Sequence, residues 1–305
     1  MDFPSSVLRT IAILFPLSLP TAVSADQVPS PIILGVLENV PGVYSLWDVR
    51  VVFEKIRSGW KSFPNDALSE EDLKEAIKNY PREMSWAIVF RGKKLAELES
   101  RAPRDFTHYA SIGQENIAGY PKIPTVGKRT SKFAEDPSEP VYRPLVAVSK
   151  PYYADPEHWE SYTPSHDELD DASAHLLMAV RDRDDVYPGW CDDKKPRYGF
   201  TANDAAIAAG YKNKLGDELL AIRAKTSAGL CDRTGDSYAG LFWFYRGGKE
   251  SIRLIGAGLR LVDFGDYDHD GKSEELFMID GQNRGGYSLF WDQFKKSSSF
   301  AFSFH

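Results

Sequence analysis

Seven carboxylates fall within the nineteen residues DFGDYDHDGKSEELFMIDG, Asp263 to Gly281, and an apolar run still follows them. Asp266, Asp268 and Asp270 alternate, Gly271 comes next, and Glu274 stands three residues further on. Places 1, 3 and 5 of a tight loop turn three carboxylates inward. Glycine in sixth place allows the left-handed backbone that lets a chain wrap an ion. Lys272, in seventh place, would lend its carbonyl and leave its ammonium in solvent, and Glu274, in ninth, would close the shell. Hard oxygen ligands in this number select Ca²⁺ over transition metals, and a flexible loop disfavours the stricter Mg²⁺ octahedron. Carboxylates so crowded repel by on the order of a kcal/mol per pair, and a divalent cation reverses that sign. The bland alternative is a solvated acidic turn. An EF-hand would need an acid at place 12, which holds Phe277, and helical flanks where these are strand-like.

The stretch DYDHDGKSE resembles the calcium loops of FG-GAP and VCBS-type repeats, found in integrin alpha-chain propellers and many exported bacterial proteins. There an apolar strand enters a DxDxDG loop and another leaves it, as GLRLVDFG and ELFMIDG do here. The resemblance covers about residues 258–281. It implies ligand roles for Asp266, Asp268, Asp270 and Glu274, with Lys272 acting through its carbonyl. Extracellular calcium modules bind at about 10⁻⁴ to 10⁻³ M. At about 1 mM calcium and a Kd near 0.1 mM, occupancy adds about 1.4 kcal/mol, which suits a structural staple better than a sensor.

Strands must deliver that loop. VRVVFEKIRSGWKSF reads as a hairpin, as do MSWAIVFRGKKLAELESR, GLFWFYRGGKESIRLIG and YSLFWDQFKKSSSFAFSF. The last three share an apolar run, a turn and an alternating run, which makes them either a weak repeat or three ordinary hairpins. LFWFY, Leu241 to Tyr245, is apolar on both strand faces and predicts a central buried strand; Trp243 and Tyr245 as a sugar-stacking platform is the alternative. Trp190 and Trp291 are expected to be more exposed than Trp86 and Trp243. Helices are predicted over LSEEDLKEAIKNYP, with Ser69 as cap, and over SHDELDDASAHLLMAVRDR, with Ser165 as cap. Between residues 110 and 165 only RPLVAVS reads as a strand. The predicted fold class is mainly β with a few short helices, α+β being the neighbouring class. Its sheets are antiparallel, and a blade-like C-terminal β segment carries one calcium loop. The expected organisation is a signal peptide over 1–25, a mixed β/α region over 26–200 and a C-terminal β segment over 201–305, or a single unit over 26–305.

Residues 1–25 carry Arg9, the apolar TIAILFPLSLPTAV and the small residues Val23 and Ala25, the pattern of an export signal. The expected location is therefore periplasmic or extracellular, with no membrane span in the mature chain. Cys191 and Cys231 are the only cysteines. In an oxidising compartment they pair, closing a loop of about 40 residues worth about 4 kcal/mol. The 37 basic and 44 acidic residues give a net charge of −7 with no basic block, which argues against nucleic acid.

Catalytic signatures are thin. The chain has no HExxH and no GxSxG; SGWK matches SxxK without its companion motifs, and TVGKRT lacks the rest of a P-loop. His166 and His175, nine apart, face opposite sides of a straight helix. Acids in DELDD, Asp167 to Asp171, suit a helix N-terminus before they suit a glycosidase. No catalytic residue is named. The expectation is an exported calcium-binding module, non-enzymatic, with a protein or glycan as partner. A secreted hydrolase acting on carbohydrate or peptide is the alternative.

Overall fold

Period-two alternation of apolar residues sorts the strands into stacked faces. A computed structural model describes residues 31–39, 47–64, 71, 78, 80–81, 83–101, 114–118, 122–130, 140–181, 205–224, 241–248, 250–281 and 284–303. The first sheet contains β1 (Ile33–Asn39), β2 (Trp47–Ile56), β3 (Gly59–Ser62), β4 (Ser85–Phe90), β5 (Lys93–Glu99) and β6 (Gln114–Asn116). After a small ribbon of β7 (Lys128–Thr130) and β8 (Pro140–Tyr142), β9 (Leu145–Val148) completes that sheet in the order β3-β2-β1-β9-β4-β5, with β6 on β2. A second sheet runs β10 (Glu160–Ser161), β11 (Ala205–Lys212), β12 (Glu218–Ala224), β13 (Leu241–Arg246) and β14 (Arg253–Ala257). The third is a meander of β15 (Leu259–Gly265), β16 (Glu274–Gly281), β17 (Arg284–Trp291) and β18 (Lys296–Ser303). Each pairing within these sheets is antiparallel. Among the described strands none of the three sheets closes into a barrel or propeller.

The third sheet lies in the middle. One of its faces sends Val262, Leu276, Tyr287, Leu289 and Phe300 into a core shared with Val36, Trp86, Ile88 and Leu145 of the first sheet. Its other face sends Leu261, Phe264, Phe277 and Phe290 against Leu219, Trp243 and Tyr245 of the second sheet. The reverse face of the second sheet, Leu220, Ile222, Phe242 and Phe244, is covered by Ala172 and Leu176 of α1 (His166–Arg181). LFWFY is thus buried on both faces as predicted, and Trp243 and Tyr245 are 3% and 2% exposed, which removes the open stacking platform.

The four predicted hairpins form, as β2–β3, β4–β5, β13–β14 and β17–β18. The last three lie one in each sheet. Ser165 caps α1 as predicted: its backbone N–H and hydroxyl donate to Glu168 Oε2, at 2.5 and 2.9 Å, and its Oγ accepts from the Glu168 N–H at 3.3 Å. Glu168 of DELDD therefore serves a capping box. One expectation is corrected. Residues 110–165 also form β6, β7, β8 and β10, strands of only two or three residues held by pairing rather than by propensity. Among the described residues α1 is the one complete helix; of the helix expected after Ser69 only Glu71 and Lys78 are described, both helical, and the rest lies outside. Residues 1–30, Trp190, Cys191 and Cys231 also lie outside the described residues, and with them the expected export signal and the expected disulfide. No described helix is long and apolar enough to cross a membrane.

The third sheet packs on both faces only because its strands run close. Gly286, at φ +141°, sits where a Cβ would lie 2.0 Å from the Phe300 carbonyl oxygen and 2.8 Å from Ala301 Cα. Both obstacles are backbone of β18. Gly286→Ala is expected to destabilise the protein by about 3 kcal/mol or more; an unchanged urea midpoint would contradict this packing.

Candidate metal centre

The acidic loop is strung between β15 and β16, so the register of that pair sets its two ends. Gly265 faces Glu274 at the end of the ladder, and the loop bulges from that pair. A Cβ on Gly265 would meet the Tyr267 ring at 2.5 Å; the missing side chain lets Tyr267 fold back and become fully buried. His269, at φ +65°, and Gly271, at φ +86°, supply the left-handed turns. The His269 ring stacks on Tyr152, centroids 4.6 Å apart, pinning a conformation that costs a non-glycine residue energy.

Within the loop, carboxylates accept from backbone. Asp266 takes the Asp270 N–H at 3.1 Å and the Gly271 N–H at 3.0 Å, one on each oxygen. Asp268 Oδ1 also accepts from the Asp270 N–H, at 3.1 Å. Glu274 reaches back along the loop, its Oε2 accepting from the Tyr267 N–H at 2.8 Å. One oxygen from each of Asp266, Asp268 and Glu274 lies within 4.8 Å of the others. Three of the predicted ligands are therefore brought together. Asp270 is not in that group: it is exposed, and its Oδ1 accepts from the Lys272 N–H at 2.9 Å. The left-handed His269 breaks the period-two alternation that would have turned Asp270 inward. Lys272 carries its ammonium in solvent as expected, 3.7 Å from Asp292.

The rest of the site comes from elsewhere in the chain. Lys55 and Trp60 are cross-strand partners in the β2–β3 hairpin. The Lys55 ammonium pairs with Asp268 Oδ2 and lies 5.4 Å from the Trp60 ring centre, while the Trp60 indole N–H donates to Glu274 Oε1 at 3.2 Å. From the other side, the Asp266 N–H donates to the Ala154 carbonyl at 2.5 Å and Ser273 Oγ donates to Asp155 at 2.9 Å. Asp155 in turn accepts from the backbone of His158 and Trp159, closing a short turn. None of Lys55, Trp60, Tyr152 or Asp155 carries a local motif. The hairpin around RSG was legible, but not its docking more than 200 residues away.

Burial makes this corner electrostatically costly. Asp266 and Glu274 are buried, and the Asp268 side chain is 1% exposed. Burial, then the Asp268 charge, push the Glu274 carboxyl well above the usual carboxylate range, and burial also raises Asp266. Burial lifts Asp263 from 3.8 to about 7 despite two hydrogen bonds from the Arg91 N–H. Glu275 is raised well above its ordinary value by burial and by Glu157, and its Oε2 has no hydrogen-bond partner among the described residues. Three convergent carboxylates, no His or Cys, and a single ammonium make a donor set for a hard divalent cation.

Comparison of the chain with protein-family models, with curated proteins and with solved structures returns no match.

A carboxyl whose folded pKa is raised binds more protons folded than unfolded, so it lowers stability as pH rises between the two values. For Asp263 that window runs from 3.8 to about 7. In chelator, the melting temperature should therefore fall between about pH 4 and pH 7. Calcium at the loop favours the ionised carboxylates and should flatten or invert that slope. Melting curves in chelator that rise with pH across this window would contradict the assigned burial.

Proposed function

We propose that the loop Asp266–Glu274 holds a calcium ion that staples the third sheet to its neighbours, and that the protein is an exported, non-enzymatic binding or scaffolding module. The observation that carries the calcium reading is the convergence of buried Asp266, Asp268 and Glu274 oxygens within 4.8 Å. One ammonium, from Lys55, faces them. Two positive charges compensate three carboxylates better than one does, and oxygen-only donors suit Ca²⁺. The resemblance of the loop to FG-GAP and VCBS-type repeats supports the same ion, with Lys272 as a carbonyl ligand and Asp270 reached by a small loop rearrangement.

The site links three stretches of chain, the β2–β3 hairpin, the turn at 154–159 and the β15–β16 loop. An ion there stabilises the folded chain in proportion to its occupancy. A binding role draws support from a cleft of about 400 Å³ whose described walls include no Asp, Glu, His, Ser or Cys, the side chains a hydrolase would need. The export signal over 1–25 supports the compartment, and the net charge of −7 disfavours nucleic acid as partner.

Calcium at about 1 mM should raise the melting temperature of the wild type by a few degrees over chelator. Asp268→Ala should erase that difference. Lys55→Met, which removes the competing ammonium and keeps its apolar stem over Trp60, should tighten calcium binding by about fivefold or more. A wild type that melts identically with and without chelator would overturn the calcium reading. Turnover of a glycan or peptide substrate would overturn the non-enzymatic one.

A further inference from the structure

The cleft lies between the second and third sheets, away from the acidic loop. Its aromatic wall is Trp243 on β13 and Tyr211 on β11, with ring centres 6.3 Å apart and planes inclined by 22°. Trp243 is held in place by its indole N–H, which donates to the Leu259 carbonyl at 2.7 Å. The charged side chains of the wall are Arg143, Arg223 and Arg260, in a protein whose net charge is −7. The local sign is opposite to that of the molecule.

Two β-bulges shape this space. The β11–β12 register skips Ala208, and the β15–β16 register skips Val262; both extra residues line the cleft. A bulge frees ladder groups and re-aims side chains, and bulges gather beside binding sites. Here the carbonyls at the second bulge are taken by Arg143, whose Nε donates to Val262 at 3.0 Å and whose Nη2 donates to Leu261 at 2.9 Å. Arg143 therefore fixes the wall. Arg223 differs: it is exposed on β12, and its guanidinium makes no hydrogen bond or ion pair among the described residues.

We infer that this cleft binds a small carboxylate with a flat apolar body. The inference deepens the binding-module reading and rests on it. Its volume of about 400 Å³ suits a small ligand. The fork of Arg223 matches one planar carboxylate through two parallel N–H donors. The apolar body packs on the half-buried Tyr211 ring, which the buried Trp243 backs, and against Ala208 and Ala209. The described polar side chains of the lining are guanidinium groups and the Tyr211 hydroxyl, a set that favours an anionic group over a neutral one.

The calcium-loaded full chain would be titrated by calorimetry with 4-phenylbutyrate, its amide, phenyl phosphate and glucuronate. The carboxylate should bind one to one, and the amide about tenfold more weakly or worse. Arg223→Gln should lose about tenfold or more, and Arg223→Lys should fall between, both with unchanged melting because the side chain is exposed. No saturation by 4-phenylbutyrate up to about 10 mM overturns the inference. So does equal binding of the amide, tighter binding of phenyl phosphate or glucuronate, or an Arg223→Gln chain that binds as the wild type does. Carboxylate binding without any melting response to chelator removes the calcium reading alone. A melting response without carboxylate binding removes the cleft ligand alone.

Discussion

Like charge buried at close range is the constraint around which this molecule is arranged. Asp266, Asp268 and Glu274 are withdrawn from water at the junction of two strands, and buried Asp263 on β15 and Glu275 on β16 lie close behind them. Left ionised and uncompensated, such a group would cost more than the surrounding core could offset. The protein meets the cost in three ways. Backbone N–H groups of Tyr267, Asp270 and Gly271 donate to the loop carboxylates. The Lys55 ammonium and the Trp60 indole approach from the β2–β3 hairpin. Burial favours the neutral form of Asp263 and Glu275, whose pKa values it raises. A divalent ion, if bound among the three loop carboxylates, would replace much of the last device with a stronger one.

The position of that corner explains why it matters to the fold. The central sheet is packed on both faces, so the β15–β16 connection has few directions in which to leave the core. It emerges between the β2–β3 hairpin and the turn at 154–159, and it bonds to both. Any agent that fixes the loop fixes the relation of the first sheet to the third. The same stacking leaves a cleft where the second and third sheets diverge at two bulges, so the acidic corner and the cleft are separate consequences of one layered arrangement.

Much of this was legible in sequence because it is local. Alternation marked the hairpins, a doubly apolar LFWFY marked a strand covered on both sides, and Ser165 with Glu168 marked the start of a helix. The converging carboxylates were legible for the same reason, since Asp266, Asp268 and Glu274 belong to one loop. What escaped depends on tertiary contacts. Strands such as β10, with two residues, exist through their partners. Asp270 turns outward because His269, two residues into a strict alternation, takes a left-handed conformation that stacking on Tyr152 sustains. Lys55 and Trp60 reach the loop only through a register that no short window encodes.

A crystal grown in calcium and measured for anomalous scattering tests the central claim most directly. The account predicts a peak about 2.3–2.6 Å from oxygens of Asp266, Asp268 and Glu274, with the Lys55 ammonium displaced from Asp268. Density showing that ammonium still seated on Asp268, with no scatterer among the three carboxylates, would contradict it.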